Sequence, residues 1–468
     1  MKQLLPIIPI VILTIIVALF PNLFSIALIP ITLCGVLTTS QIVKTIEDEN
    51  WIINVYFYTW IFVLISTYIA PLIHIVRNYW VPYMLTKPND WSPYAFVTST
   101  MYLVGILIWI AIFNKDKSLT IKRNSRKWSL AGNWQLWISL FLLISLLAQL
   151  YVYSKVGGIA GYIHAYSLKS EGVNAFAGMG MFFILSESFP YTLLLYLIFK
   201  FKNRTVGKVG FYLILILLFV VTMFFGGLRG SRSNTVLFMV ISAIAINIYI
   251  YRIKKSDIVV LLLCFFAFMY VGRMYKDYGE NMLQETSPIA QTNSTLTSPE
   301  TTIVGDLARY DVNSYQLFLL EEIRPDYRLK YGETYLWGFL TYIPGGSYII
   351  QTFGLKGRSP AASELFYGSS EYDNSRILGP IGEWMINFGR FTFFIAYIII
   401  GLLIRYIRRY TLSISVDDVR FMLIPSLIVF LPQLILSDFS NIMFFFVKRV
   451  VVVLIILFLI STKTYKTA

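Results

Sequence analysis

About twelve apolar stretches of bilayer length run through this chain, and one polar stretch of more than a hundred residues, 273–389, separates the ninth from the tenth. Short turns are enough to reverse a hydrophobic bundle, so a connector this long is present for another purpose. Loops of that length usually carry function. The expected fold is all-α and polytopic. Residues 1–272 would hold nine membrane helices, 273–389 one large extracytoplasmic loop with short helices, and 390–468 three more membrane helices.

The charge content agrees. Of 468 residues only 14% are charged and 57% are hydrophobic, whereas ordinary soluble domains carry about 25% charged residues. The segment 4–20 has the apolar length of a secretory signal. No small-residue cleavage site follows it and apolar sequence resumes at Leu23, which predicts an uncleaved first span. Cys34 and Cys264 both fall inside predicted spans and offer neither a disulfide framework nor a zinc site.

The predicted spans are 4–20, 23–42, 52–76, 94–113, 134–154, 179–199, 209–226, 234–250, 256–272, 390–407, 419–437 and 441–460. Each is long enough to cross ~30 Å of hydrocarbon as a helix, some with little to spare. With the N-terminus inside, the inner segments hold 21 Lys and Arg, among them six from Lys115 to Lys127 and four from Lys200 to Lys208. The short outer loops hold 6: Arg77, Lys87, Lys155, Lys169, Arg229 and Arg232. Basic residues are retained on the cytoplasmic side, so both termini are expected inside and the long loop outside. The net charge of +14 follows that topology and does not indicate a nucleic-acid partner. Only Pro21 and Asn22 join the first two spans, so a re-entrant hairpin is the alternative there.

The long loop opens with 284–302, a tract rich in Ser, Thr, Pro and Gln that cannot bury enough apolar surface to order itself. From Val304 the period becomes helical: Asp306, Arg309, Asn313 and Gln316 share one face, and Val304, Leu307, Tyr315 and Phe318 the opposite one. Asp311 falls within that apolar face, so it is either solvated at an early helix end or buried with a raised pKa. Residues 335–350 are aromatic and apolar but broken by Pro344, Gly345 and Gly346, which suits a segment on the membrane surface or over the mouth of the bundle. The closing part, 358–390, concentrates polar groups, including Arg358, Glu371, Asp373, Arg376 and Glu383, just before the chain re-enters the bilayer. A lid over a site has that composition.

Some charges run against topology. Arg229 and Arg232 stand at the outer end of the seventh span in Gly226-Gly227-Leu228-Arg229-Gly230-Ser231-Arg232. Glycines let backbone N–H groups face an anion, and two guanidiniums can hold phosphate oxygens; headgroup anchoring is the plainer alternative. Lys448 and Arg449 lie well inside the last span, where each would cost about 2.5–3.5 kcal/mol facing lipid at the helix centre. They must face a partner or a polar cavity. Glu187, before Pro190 in the sixth span, enters to similar depth, so the choice is between a Glu187–Lys448 ion pair and a cationic cavity for an anionic headgroup. Neighbours on an α-helix point ~100° apart, so only one of the two cations can aim squarely at either target.

His is absent from the long loop, and no Walker loop or Ser/His/Asp set occurs. A glycosyltransferase built on a metal-bound carboxylate pair in its first outer loop is excluded, because Pro21-Asn22 carries no acid. Glu371 and Asp373 alone are a weak signal for a divalent ion, so no metal or other cofactor is expected.

The chain resembles the Wzy-type oligosaccharide repeat-unit polymerases, relatives of the O-antigen ligases. The likeness covers most of its length as architecture: about twelve spans and one large outer loop between late spans. Locally it rests on the Arg229–Arg232 turn, Arg309, Gly332-Glu333-Thr334-Tyr335, Ile343-Pro344, and Gly382-Glu383-Trp384 through Asn387-Phe388-Gly389. After Ile343-Pro344, where related sequences often carry basic residues, this chain has Gly345 and Gly346. The resemblance implies a bacterial inner-membrane enzyme that moves a growing glycan from polyprenyl pyrophosphate onto a new lipid-linked unit. It would work in membrane lipid beside a flippase and a chain-length regulator. The arginines would stabilise the leaving pyrophosphate: Arg229, Arg232 and Arg376 first, then Arg309, Arg358 and Arg449, with Lys448 beside them. A carboxylate would take the acceptor hydroxyl's proton: Glu383, Asp311 or Asp373, in that order. Tyr335, Trp337 and Tyr342 would stack on sugar or lipid. An O-antigen ligase needs the same outer site. A secondary transporter or lipid-linked-sugar flippase is the reading from another class, and the first and last six spans show none of the paired halves usual there.

Overall fold

The architecture is that of a computed structural model, which describes residues 6–19, 25–47, 54–77, 92–115, 126–167, 179–202, 206–229, 232–254, 256–261, 263–265, 267–268, 328–343, 345–355 and 378–465. The chain is mostly helical. Among the described residues nine helices are long and apolar enough to cross a membrane. Most coincide with the predicted spans: Ser92–Asn114, Trp134–Val156 and Lys208–Phe225 end within a few residues of 94–113, 134–154 and 209–226. Helices of this kind are apolar all round rather than amphipathic, and large side chains such as Leu136, Val209 and Leu213 are exposed along them. Of the first predicted span, 4–20, the described residues form the helix Ile8–Leu19.

By packing, the chain divides into two interleaved units: Met1–Lys122 with Leu296–Ser413 and Phe430–Phe445, and Arg123–Thr295 with Ile414–Val429 and Phe446–Ala468. In the first unit, Leu28–Ile46 packs on Val55–Leu64 and on Ser92–Asn114, which in turn packs on Phe393–Ser413. Glycine sets the approach of this last pair. A Cβ on Gly401 would stand 2.7 Å from Trp109 Cδ1, and one on Gly105 would overlap the Tyr397 ring. Small residues that let helix backbones close up are the usual device of membrane bundles. The close approach lets the Trp109 indole N–H donate to the Tyr397 carbonyl at 2.7 Å. The segment 335–350 forms two short helices, Glu333–Leu340 and Gly346–Thr352. The first packs against Phe439–Phe445.

The second unit is built on Trp134–Val156, which contacts Gly180–Ser186, Phe189–Phe201 and Val452–Leu459. Gly157, at φ 84°, ends the long helix in the left-handed conformation that favours glycine. The all-α expectation needs one correction. Arg126–Leu130 pairs antiparallel with Ser461–Tyr465, Trp128 opposite Lys463. Ser461-Thr462-Lys463-Thr464-Tyr465 is rich in residues that favour strands. Beside the pair, Asp418 accepts from the Trp128 backbone N–H at 3.3 Å and is held by Arg420 at 2.7 Å, whose guanidinium lies over the Trp128 ring.

Candidate functional site

The second unit contains a small cleft assembled from four interruptions in otherwise regular helices. The first is a π-turn, Phe446–Val451, that carries Lys448 and Arg449. An i→i+5 turn inserts an extra residue and narrows the angle between neighbours, so two consecutive cations can both face inward. They do: Lys448 is 3% and Arg449 0% exposed. The second is the break in the sixth predicted span. Gly180–Ser186 ends at Glu187, and Phe189–Phe201 begins with Pro190 in its first turn, where a missing N–H costs nothing. Ser188 fastens the break by a 2.8 Å hydrogen bond between its hydroxyl and that of Ser145. The break presents the buried Glu187 carboxylate, which forms an ion pair with Lys448. The ion-pair alternative for Lys448 is therefore the one observed, and both paired residues also line the cleft.

The third interruption is Gly226-Gly227, which joins Lys208–Phe225 to the 3-10 turn Gly227–Arg229. Here glycine supplies space. A Cβ on Gly226 would stand 3.3 Å from the Glu187 carboxyl carbon, and one on Gly227 would stand 3.1 Å from the Thr235 hydroxyl. The fourth is the restart of the helix Arg232–Tyr249. It delivers Asn234, whose side-chain carbonyl accepts from Arg449 Nη2 at 2.7 Å. The Arg449 guanidinium also engages the Tyr191 phenol. Glu187, Tyr191, Gly226, Gly227, Asn234 and Lys448 are among the residues lining ≈ 310 Å³ of empty space. It has room for about one water. Arg229 ends the 3-10 turn and Arg232 opens the helix that supply Gly227 and Asn234 to this cleft; their side chains fall outside the described atoms.

The first unit holds a second polar centre, also fully buried. Glu383, on the helix Gly379–Phe388, is 0% exposed. One carboxylate oxygen accepts from the Thr334 hydroxyl at 2.7 Å, the other from the Phe439 backbone N–H at 2.5 Å. Asn387 donates to the Thr334 hydroxyl at 2.8 Å and accepts from the Gly332 N–H at 2.9 Å. Tyr331 and Gly332, both at positive φ (46° and 90°), bend the chain so that Tyr331 N–H reaches the Asn387 carbonyl at 3.0 Å. The runs Gly332–Tyr335 and Gly382–Phe388, separate in sequence, thus form one network. Tyr335 packs edge-on to Phe439 and stacks with Phe388. Burial, with Glu383 and Asp438 close by, pushes its phenol well above the ordinary value. Burial raises Tyr342 to about 12.

Of the residues singled out in the sequence, Lys448 lines the cleft, Arg449 lies buried behind it on Asn234, and Glu383 lies in the buried network. Arg309, Asp311, Arg358, Glu371, Asp373 and Arg376 lie outside the described residues. Sequence reasoning missed Asn234, Tyr191, Thr334, Asn387 and Asp438. The last left a signal, since Asp followed by an apolar run marks a helix start. Comparison with protein-family models, curated proteins and solved structures finds no match for this chain.

Proposed function

We propose that the chain is a Wzy-type glycosyltransferase that polymerises polyprenyl-pyrophosphate-linked oligosaccharide units. The proposal places it in the bacterial cytoplasmic membrane with both termini inside and 273–389 outside, in keeping with the 21-to-6 division of basic residues. One observation carries the reading: the glycine-rich turn bearing Arg229 and Arg232 borders a cleft that already buries Lys448, beside Arg449. Concentrated fixed positive charge in a water-poor setting is what a leaving diphosphate requires. The bond from the growing chain's anomeric carbon to the pyrophosphate oxygen breaks, and the electron pair leaves with that oxygen. Arg229 and Arg232 stabilise the added charge at the cleft's rim, while Asn234 and Tyr191 hold Arg449 behind it. Arg376, Arg309 and Arg358 supply further contacts from the loop. The acceptor hydroxyl of the new unit attacks the same carbon and gives its proton to a carboxylate. Both oxygens of Glu383 are engaged by Thr334 and Phe439, so in this proposal Glu383 positions the lid and Asp311 or Asp373 takes the proton. The reaction draws on no cofactor; a flippase would supply the lipid-linked unit and a chain-length regulator would set its end point.

Replacing Arg229 or Arg232 by Ala is expected to abolish long-chain polysaccharide in folded, inserted protein and to leave lipid-linked single repeats. Wild-type chain lengths in both variants would remove these residues from the site. Purified protein given one lipid-linked repeat should produce a ladder; product only when a core acceptor is added would mean a ligase. The broken span Gly180–Ser186/Phe189–Phe201 favours a transporter, since half-helices line transport sites. Flux of labelled lipid-linked sugar without chain growth would establish that reading.

A further inference from the structure

The cleft contains its own anion. Glu187 reaches Lys448 from the break in its span, and its carboxyl lies against Gly226 so closely that even a methyl there would crowd it. The carboxylate cancels one of the two buried positive charges, leaving Arg449 to Asn234 and Tyr191. A carboxylate paired with a buried ammonium occupies the position that a phosphate oxygen would take on that ammonium.

We infer that Glu187 is an internal competitor for the anion site: its carboxylate holds Lys448 while the cleft is empty, and a phosphoanion must displace it to bind. This rests on the anion-site reading proposed above and adds a regulator to it. The competitor has two consequences. Lys448 is not left as an uncompensated buried charge, which would be strongly destabilising. Affinity for the phosphoanion is lowered, which suits a site that must release pyrophosphate-bearing lipid after each transfer. The ligand chemistry is a diphosphate or a phosphate monoester, whether free or on a lipid headgroup.

The test uses the full chain in phosphatidylcholine nanodiscs, with inorganic pyrophosphate as the probe and calorimetry as the readout. In a second arm the discs contain phosphatidic acid and retained lipid is counted by native mass spectrometry. Wild type is expected to bind pyrophosphate weakly, and Glu187→Gln about tenfold more tightly, equivalent to ~1.4 kcal/mol. Lys448→Met is expected to lose binding. Tightening in the first arm alone assigns the site to free phosphoanions, and tightening in the second alone to lipid headgroups; either supports the inference. If Glu187→Gln does not fold, Glu187→Asp, which withdraws the carboxylate by one methylene, should bind more tightly than wild type. A Glu187 variant that folds and binds no tighter than wild type in either arm overturns the inference, as does absence of binding by every form. Loss of polymer in Arg229→Ala with no tightening in the Glu187 variants would leave the polymerase reading standing alone. Tightening alongside unchanged polymer in that variant would leave the competitor standing alone.

Discussion

Glu383 and Asp438 cap each other's helices. Glu383, within Gly379–Phe388, accepts the N–H of Phe439 at 2.5 Å, at the start of Phe439–Phe445. Asp438, the residue just before that second helix, accepts the N–H of Leu378 at 2.8 Å, at the start of the first. Helix starts carry unpaired N–H groups and partial positive charge, so each end is served by a carboxylate from the other. Both side chains are fully buried. The exchange fastens the last helix of the 273–389 segment to the beginning of the last apolar span, and Thr334 and Asn387 extend the fastening to Gly332.

Removing either cap should therefore destabilise the protein. Asp438→Ala strands one buried N–H and should cost ~1–3 kcal/mol. Glu383→Ala strands both the Phe439 N–H and the Thr334 hydroxyl and should cost more, ~3 kcal/mol or above. Thermal unfolding of the purified protein measures both. If Glu383→Ala melts with wild type, the network is not holding the fold. If polymer formation in Glu383→Gln recovers at low temperature, Glu383 acts by positioning.

Much of the fold was legible because a membrane span is a local signal. Eighteen or more apolar residues declare themselves without reference to any partner, and Lys208–Phe225 is nearly the predicted 209–226. The partners were not legible, because periodicity tells which face is apolar and not what it meets. Glu187 could be named for Lys448 because a buried cation in lipid demands an anion and few acids lie at its depth. Asn234 was hidden as one amide among many polar groups. The π-turn at Lys448 and Arg449 was also hidden: it comes from burying two adjacent cations in one helix, which a regular ~100° step disfavours. Thr334, Glu383 and Asn387 stood in runs quoted for a family likeness, but their bonds span 49 and 53 positions.

The contact of Ser92–Asn114 with Phe393–Ser413 should be sensitive to single methyl groups. Gly401→Ala would press on Trp109 and Gly105→Ala on Tyr397. Each is expected to lower stability by ~1–3 kcal/mol, as overpacking does. Gly132→Ala is the control: nothing lies within 4 Å of its added Cβ, so a change within ~0.5 kcal/mol is expected. Equal melting of all three proteins would contradict the close approach.

Tyr335 predicts an alkaline effect. Its folded pKa is raised by burial and by the nearby carboxylates, so the neutral phenol is favoured in the fold. That contribution is complete below the unfolded pKa of about 10 and is lost as pH rises above it, by at most ~1.4 kcal/mol per pH unit. Melting temperatures of wild type and Tyr335→Phe between pH 8 and 11 should run parallel up to about pH 10. Above that the wild type should fall more steeply, and parallel curves throughout would refute the shift.

Asn234→Leu should cost ~1.5–3 kcal/mol, the worth of a hydrogen bond to a charged group, because Arg449 Nη2 loses its 2.7 Å acceptor while Tyr191 remains. Stability in detergent and in nanodiscs should fall together, since the bond is buried within one unit. An unaffected variant would mean that the Asn234 bond is not what holds the guanidinium.

The Glu187–Lys448 pair allows a sharper thermodynamic test. Breaking a buried ion pair from one side leaves an uncompensated charge, so Glu187→Gln and Lys448→Met should each destabilise by ~3–5 kcal/mol. Both groups are almost wholly buried, so solvent cannot relieve either. Replacing both removes the desolvation penalty along with the attraction, and the double variant should be less damaged than either single one. A four-protein cycle of unfolding midpoints reads the coupling directly. Additive losses would show that each residue acts through other contacts, and the pair would then not be what neutralises the cleft.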